Sequence, residues 1–101
     1  MIIILGASGF LGRHILKSFQ EDGIRSKGTY FKNKKDGREY FDIENMLPQD
    51  SGLFSEGARY LIISAAVDAN IDGSKENWDR AYFVNAVKIK DIIKFCFQNN
   101  I

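Results

Sequence analysis

The residue types that commit a small chain to metal or disulfide chemistry are almost missing here. There is one cysteine, Cys96, among 101 residues, so no internal disulfide can form. With one histidine, His14, beside it, the chain also lacks the ligand number and spacing of a zinc-type site, and no metal is expected. Charge of one sign is lacking too. The 14 basic and 13 acidic side chains leave a net charge of +1, too little for a global field that would draw nucleic acid or an anionic membrane. No hydrophobic run is long enough to be a signal core or a membrane span, because the apolar start Met1 to Leu5 stops at Gly6. A reducing, cytoplasmic setting is the expectation. No repeat, linker or low-complexity segment appears, and one domain covering residues 1–101 is expected.

What is present alternates between strand and helix signals. Ile2-Ile3-Ile4-Leu5 is a continuous apolar run that reads as a strand buried on both faces of a parallel sheet. From Leu11 to Asp22 the apolar residues Leu11, Ile15, Leu16 and Phe19 recur at helical spacing, and Gly23 can supply a left-handed stop. Thr29-Tyr30-Phe31 suits a second strand, Gly37 a turn, and Tyr40-Phe41 a weaker third strand. Pro48 and Gly52 interrupt any helical period between Glu44 and Gly57, which predicts an irregular or short helical crossover. Tyr60-Leu61-Ile62-Ile63 is a second buried-strand run, leading into the small residues Ser64-Ala65-Ala66. Ser74 is the expected N-cap of a long last helix, about Lys75 to Gln98, with a core stripe of Trp78, Tyr82, Ala86, Ile89, Ile93 and Cys96. Phe83, Val84, Val87, Phe95 and Phe97 fall off that stripe, which implies a second partner surface.

Between the first strand and the first helix stands Gly6-Ala7-Ser8-Gly9-Phe10-Leu11-Gly12. A glycine turn in this position bends the chain sharply, lets backbone approach a pyrophosphate and aims free helix N–H groups at negative charge. Gly6, Gly9 and Gly12 are assigned those tasks, while Arg13 and His14 read as ordinary solvated residues. The order of elements and right-handed crossovers predict an α/β, three-layer Rossmann-type parallel sheet with strand order 3-2-1-4, half of a doubly wound fold. An NAD-selective site carries a carboxylate about twenty residues after the glycines, where it meets the ribose 2′-hydroxyl. None stands there in this chain. Tyr30 and Phe31 are followed instead by Lys32, Lys34 and Lys35, a ring and several cations suited to a 2′-phosphate, so NADP is expected over NAD.

The order Gly6 to Gly12, Asp42-Ile43, Ala65-Ala66 and Val84-Asn85 resembles the extended and atypical short-chain dehydrogenase/reductases. Within them it is most similar to the dTDP-4-dehydrorhamnose reductase type of sugar-nucleotide enzyme. The resemblance spans the chain. It implies that Ser8, Phe10 and Leu11 give backbone contacts to the pyrophosphate. It further implies that Asp42 and Ile43 meet the adenine amino group and ring, and that Ala65, Ala66 and Val67 lie under the nicotinamide ribose. Asn85 would be structural.

Leu5 stands where many members of that family have Thr, and residues 1–101 contain no counterpart of its catalytic Ser/Thr and Tyr-x-x-x-Lys. Tyr30 and Lys34 match Tyr-x-x-x-Lys by letters only. A working pair projects from one helix face so that the lysine lowers the tyrosine pKa, whereas these two span a strand end and a loop. No catalytic residue is therefore expected here, and Cys96 reads as core. Two readings follow. In one, the chain is the cofactor-binding portion of a sugar-nucleotide reductase or epimerase, truncated before its catalytic part. It would bind NADP(H) without turnover and meet a nucleotide-sugar only in the complete protein. In the other, it is a free-standing nucleotide-binding or regulatory module. Either way the bare edge of the last strand, or the extra apolar faces of the last helix, predicts a homodimer.

Overall fold

The computed structural model describes residues 1–65 and 75–101. Four parallel strands form one sheet: β1 (Ile2–Leu5), β2 (Ser26–Tyr30), β3 (Arg38–Tyr40) and β4 (Tyr60–Ile63), in the spatial order β3-β2-β1-β4. The expected order holds. β1 lies in the centre, with Ile4 opposite Gly28 of β2 on one side and Ile62 of β4 on the other. Successive side chains of a strand point to opposite faces, so β1 supplies both cores. Ile3 and Leu5 join Phe41, Leu53, Phe54, Ala58 and Ile92 on one face, while Ile4 joins Ala7 and Leu16 on the other. That two-sided burial is why the run has no polar alternation.

Helix α1 (Phe10–Glu21) covers the second face with Leu16, flanked by Ile15 and Phe19. It approaches closely because Gly28 has no side chain: a Cβ there would lie 2.8 Å from Leu16 Cδ2 and strike the Ala7 methyl. Leu11, expected on the buried stripe, is instead exposed. Gly12 is the residue packed against the glycine turn, and each helical residue rotates by about 100°, which carries Leu11 outward. The helix ends as expected near Gly23, whose φ is +71°.

The crossover from β3 to β4 contains two short 3₁₀ helices, Pro48–Asp50 and Gly52–Ser55. They bring Leu53 and Phe54 into the first core, where Phe54 stacks edge-on with Phe41 and Phe95 at centroid distances of 6.1 and 5.5 Å. The short helical crossover read from Pro48 and Gly52 is thus what forms. The expected third strand shifts slightly, because β3 ends at Tyr40 and Phe41 follows it into the core.

The last helical segment runs as α2 (Lys75–Tyr82), a π-helical stretch (Phe83–Lys88) and α3 (Ile89–Gln98). Its expected N-cap, Ser74, lies outside the described residues. The expected core stripe is corrected: Ala81, Val84, Lys88 and Ile92 are buried, whereas Trp78, Tyr82 and Ile93 are 55, 69 and 59% exposed. Ala86 is exposed too, while Ile89 and Cys96 are half-buried. The buried positions keep a spacing of three or four residues through the π stretch, one residue off the expected Tyr82 and Ile93, so the expected stripe lies on a neighbouring face of the helix. Several large apolar residues of this helix are therefore left exposed.

Candidate functional site

The site begins where β1 ends. Gly6 has φ +80°, a left-handed conformation that strains any side chain, and a Cβ there would strike the Ser64 carbonyl at the exit of β4. Its N–H donates to Thr29 Oγ1 at 3.0 Å, tying the turn to β2, and its carbonyl accepts from Gly9 N–H at 3.1 Å. Gly12 is held to glycine by the protein itself, since a Cβ would collide with the Gly6 carbonyl and lie 2.9 Å from Ala7 Cα. Gly9 differs. The nearest protein atom to a Cβ there is Gly6 O at 3.4 Å, so its bare backbone faces open space. That is the cradle a pyrophosphate fits. Gly9 is also the N-cap of α1 and makes no side-chain cap, and the first turn holds no acid, so the helix dipole is not offset there.

This turn forms one wall of a cleft of about 400 Å³, within the roughly 300–1,000 Å³ typical of small-molecule sites. Leu5, Gly6, Ser8 and Gly9 line it from the turn, and Tyr30, Phe31, Lys32 and Asn33 from the end of β2. Phe41 to Glu44 line it after β3, Ser64 and Ala65 after β4, and Arg80 and Val84 from the last helix. The ends of all four strands thus converge on it, as expected for a ligand site at the carboxyl edge of a parallel sheet.

Of the residues expected from the sequence, Gly6, Ser8, Gly9, Tyr30, Lys32, Asp42, Ile43 and Ala65 are brought together there. Phe10 and Leu11 are exposed on the first turn of α1, Gly12 is buried beneath it, and Lys34 is exposed in the following loop; these four do not line the cleft. Ala66 and Val67 lie outside the described residues. Arg13 and His14 pack around the Phe10 ring, Arg13 Cζ at 5.4 Å and the His14 centroid at 4.9 Å. Lys32 Nζ sits 5.9 Å from the Phe31 ring centre, and the Tyr30 and Tyr40 rings meet edge-on at 5.8 Å. Tyr30 closes β2, as the argument against a catalytic Tyr30–Lys34 pair requires.

Asp42 is buried and already occupied. Oδ1 accepts from Glu44 N–H at 2.9 Å and Oδ2 from the Asn45 side-chain amide at 2.8 Å, while its carbonyl accepts from Met46 N–H. Its carboxylate therefore folds the loop that presents Ile43 and Glu44, and retains free lone pairs for a base. Glu44 is engaged in turn by Arg80, whose Nε and Nη2 donate to Oε1 and Oε2 at 2.8 and 3.5 Å. That hydrogen bond, then the charge of Glu44, with Asp42 adding, raises the guanidinium further above its ordinary range.

Thr29, Asn33, Phe41, Glu44, Ser64, Arg80 and Val84 were not among the expected site residues. Thr29 and Ser64 adjoin residues that were, and could have been found by extension. Val84 belongs to the Val84-Asn85 pair of the resemblance, with no site role assigned to it, and Arg80 carries no local signal, because its partner Glu44 lies thirty-six residues away. Among the described residues no group of three His, Cys, Asp or Glu could hold a metal ion, and no helix is long and apolar enough to cross a membrane.

Sheet order, glycine turn and cleft together define a Rossmann-type α/β fold. No family model matches the sequence. Solved structures share the fold. A short-chain dehydrogenase/reductase superfamily protein from Agrobacterium tumefaciens, with bound NAD, superposes with a TM-score of 0.78 at 17% identity, over 100% of this chain and 30% of that one. UDP-glucose 4-epimerase gives 0.75 at 16% identity, over 99% and 32%. A hypothetical dTDP-4-dehydrorhamnose reductase from Sulfolobus tokodaii gives 0.74 at 21% identity, over 94% and 34%. The chain spans about a third of the length of these structures.

Proposed function

We propose that this chain is the NADP(H)-binding portion of a cytoplasmic oxidoreductase or epimerase of the sugar-nucleotide type, able to bind its cofactor and not to complete the reaction. The observation that carries this reading is the bare Gly9 backbone at the uncapped start of α1, opening on a cleft formed at the ends of all four strands. Gly6, Ser8 and Gly9, with Phe10, Leu11 and Gly12 behind them, would hold the pyrophosphate. Asp42 and Ile43 would meet the adenine, and Ala65, Ala66 and Val67 the nicotinamide ribose. Tyr30, Lys32 and Lys34 would favour a 2′-phosphate, Lys32 from the cleft wall and Lys34 from the exposed loop. The bound cofactor would supply hydride transfer. This chain's residues would orient it, and the proton-transfer Tyr and Lys are assigned to residues other than 1–101.

The test is calorimetric titration with NADPH and, separately, NADH, with light scattering on the same samples. Saturable binding that prefers NADPH is expected. Neutralising Lys32 and Lys34 together should weaken NADPH by about 1–3 kcal/mol, the scale of charge-assisted hydrogen bonds, and leave NADH nearly unchanged. Equal losses for both cofactors would overturn the 2′-phosphate assignment.

A second reading, a free-standing nucleotide-binding or regulatory interaction module, is favoured by one observation. The open edge of β4 and the adjoining Ile93 and Phe97 form an apolar groove with Phe19 and Ile101. In that reading the groove is where a second copy packs, and a folded dimer that ignores both cofactors would support it.

A further inference from the structure

Among the described residues, the charged side chains lining the cleft are two cations, Lys32 and Arg80, and two carboxylates, Asp42 and Glu44. Both carboxylates lie on the loop after β3, the wall assigned to the adenine. A dinucleotide arrives with at least two negative charges of its own, and like charges a few ångströms apart in a partly screened cleft repel. Asp42 is buried and spends its oxygens on the loop's own N–H groups, which disperse part of its charge. Glu44 is a cleft-facing carboxylate, and the guanidinium that meets it comes from another element, thirty-six residues on.

We propose that Arg80 is a charge-neutralising, positioning residue of this site: by pairing with Glu44 it lets an acidic adenine wall accept an anionic nucleotide and ties α2 to that wall. This rests on the dinucleotide reading above. The two-point contact suits the role, because a planar guanidinium holding both carboxylate oxygens fixes the carboxylate's orientation as well as its charge. The pair is half-exposed, so its removal should disturb the nucleotide more than the fold.

The decisive experiment is a charge rescue. Binding of NADPH and of ADP is measured by calorimetry at low and moderate salt for the wild-type chain, Arg80→Ala, Arg80→Lys, Glu44→Gln and the Arg80→Ala/Glu44→Gln double variant. Circular dichroism monitors folding. Arg80→Ala should bind both ligands roughly tenfold more weakly, the loss shrinking as salt rises. Arg80→Lys, which keeps the charge and loses the two-point contact, should recover only part of the affinity. Adding Glu44→Gln to Arg80→Ala should restore affinity to within about twofold of wild type, a recovery that a merely structural contact would not give. A double variant as weak as Arg80→Ala would overturn the inference and leave Arg80 as a direct ligand contact. Unchanged binding by folded Arg80→Ala would overturn it as well. If the wild-type chain bound neither ligand, the dinucleotide reading itself would fall, and this inference with it.

Discussion

β1 and β4 are four-residue strands of nearly the same composition, Ile-Ile-Ile-Leu and Tyr-Leu-Ile-Ile, hydrogen-bonded to each other in register. In β1, Ile3, Ile4 and Leu5 are at most 1% exposed, whereas no residue of β4 is buried and Tyr60 is 66% exposed. Composition does not separate them; position does. β1 has a strand on each side and helices above and below, while β4 has, among the described residues, one neighbour and an open edge. The opposite edge, β3, is short and carries Arg38 and Glu39, the kind of polar edge that discourages pairing. β4 has no such protection.

The largest effects should separate the two strands directly. Ile4→Ala should destabilise the fold by about 2–5 kcal/mol in denaturant unfolding, while Ile62→Ala, its partner in register, should cost less than half as much. Equal costs would mean that β4 is covered in solution. Next, Gly6→Ala should force the exits of β1 and β4 apart and strain a left-handed residue, for about 1–3 kcal/mol, with nucleotide binding lost as well. Binding that survived would remove the glycine turn from the site.

Self-association is the third contrast. The wild-type chain should associate in light scattering, and Tyr60→Lys or Ile93→Lys should shift it toward monomer. Tyr40→Lys, at the β3 edge, should not. Response at both edges alike would show that association does not run through β4.

The smallest effect concerns Cys96, half-buried in α3 against the first core, where desolvation raises its thiol pKa. A neutral thiol favoured by the fold adds stability that is full below the unfolded value of about 8.5 and is lost as pH rises through the folded value. Alkylation should accordingly be slow at pH 7 and accelerate only above the free-thiol range. Reaction at the rate of a free cysteine would show that α3 does not rest on the sheet.

The last helix shows where sequence patterning misleads. Trp78, Tyr82 and Ile93 read as core because they are large and nearly in phase, yet Ala81 and Ile92 are the buried residues. Asp42 was legible as a site residue from the resemblance, though not its work in folding the loop. The Arg80–Glu44 pair was not legible at all, because nothing local marks residues so far apart as partners.

The sequence by itself determined the succession of strands and helices, the 3-2-1-4 order and the glycine turn. Those follow from short-range causes: unbroken apolar runs, a residue without a Cβ where the chain must bend, and the fixed hand of crossovers. Tertiary structure alone decided which face of the last helix is buried and which charge meets Glu44. Each depends on the direction in which a crossover returns the chain and on the room left at its landing point, and no local pattern encodes either.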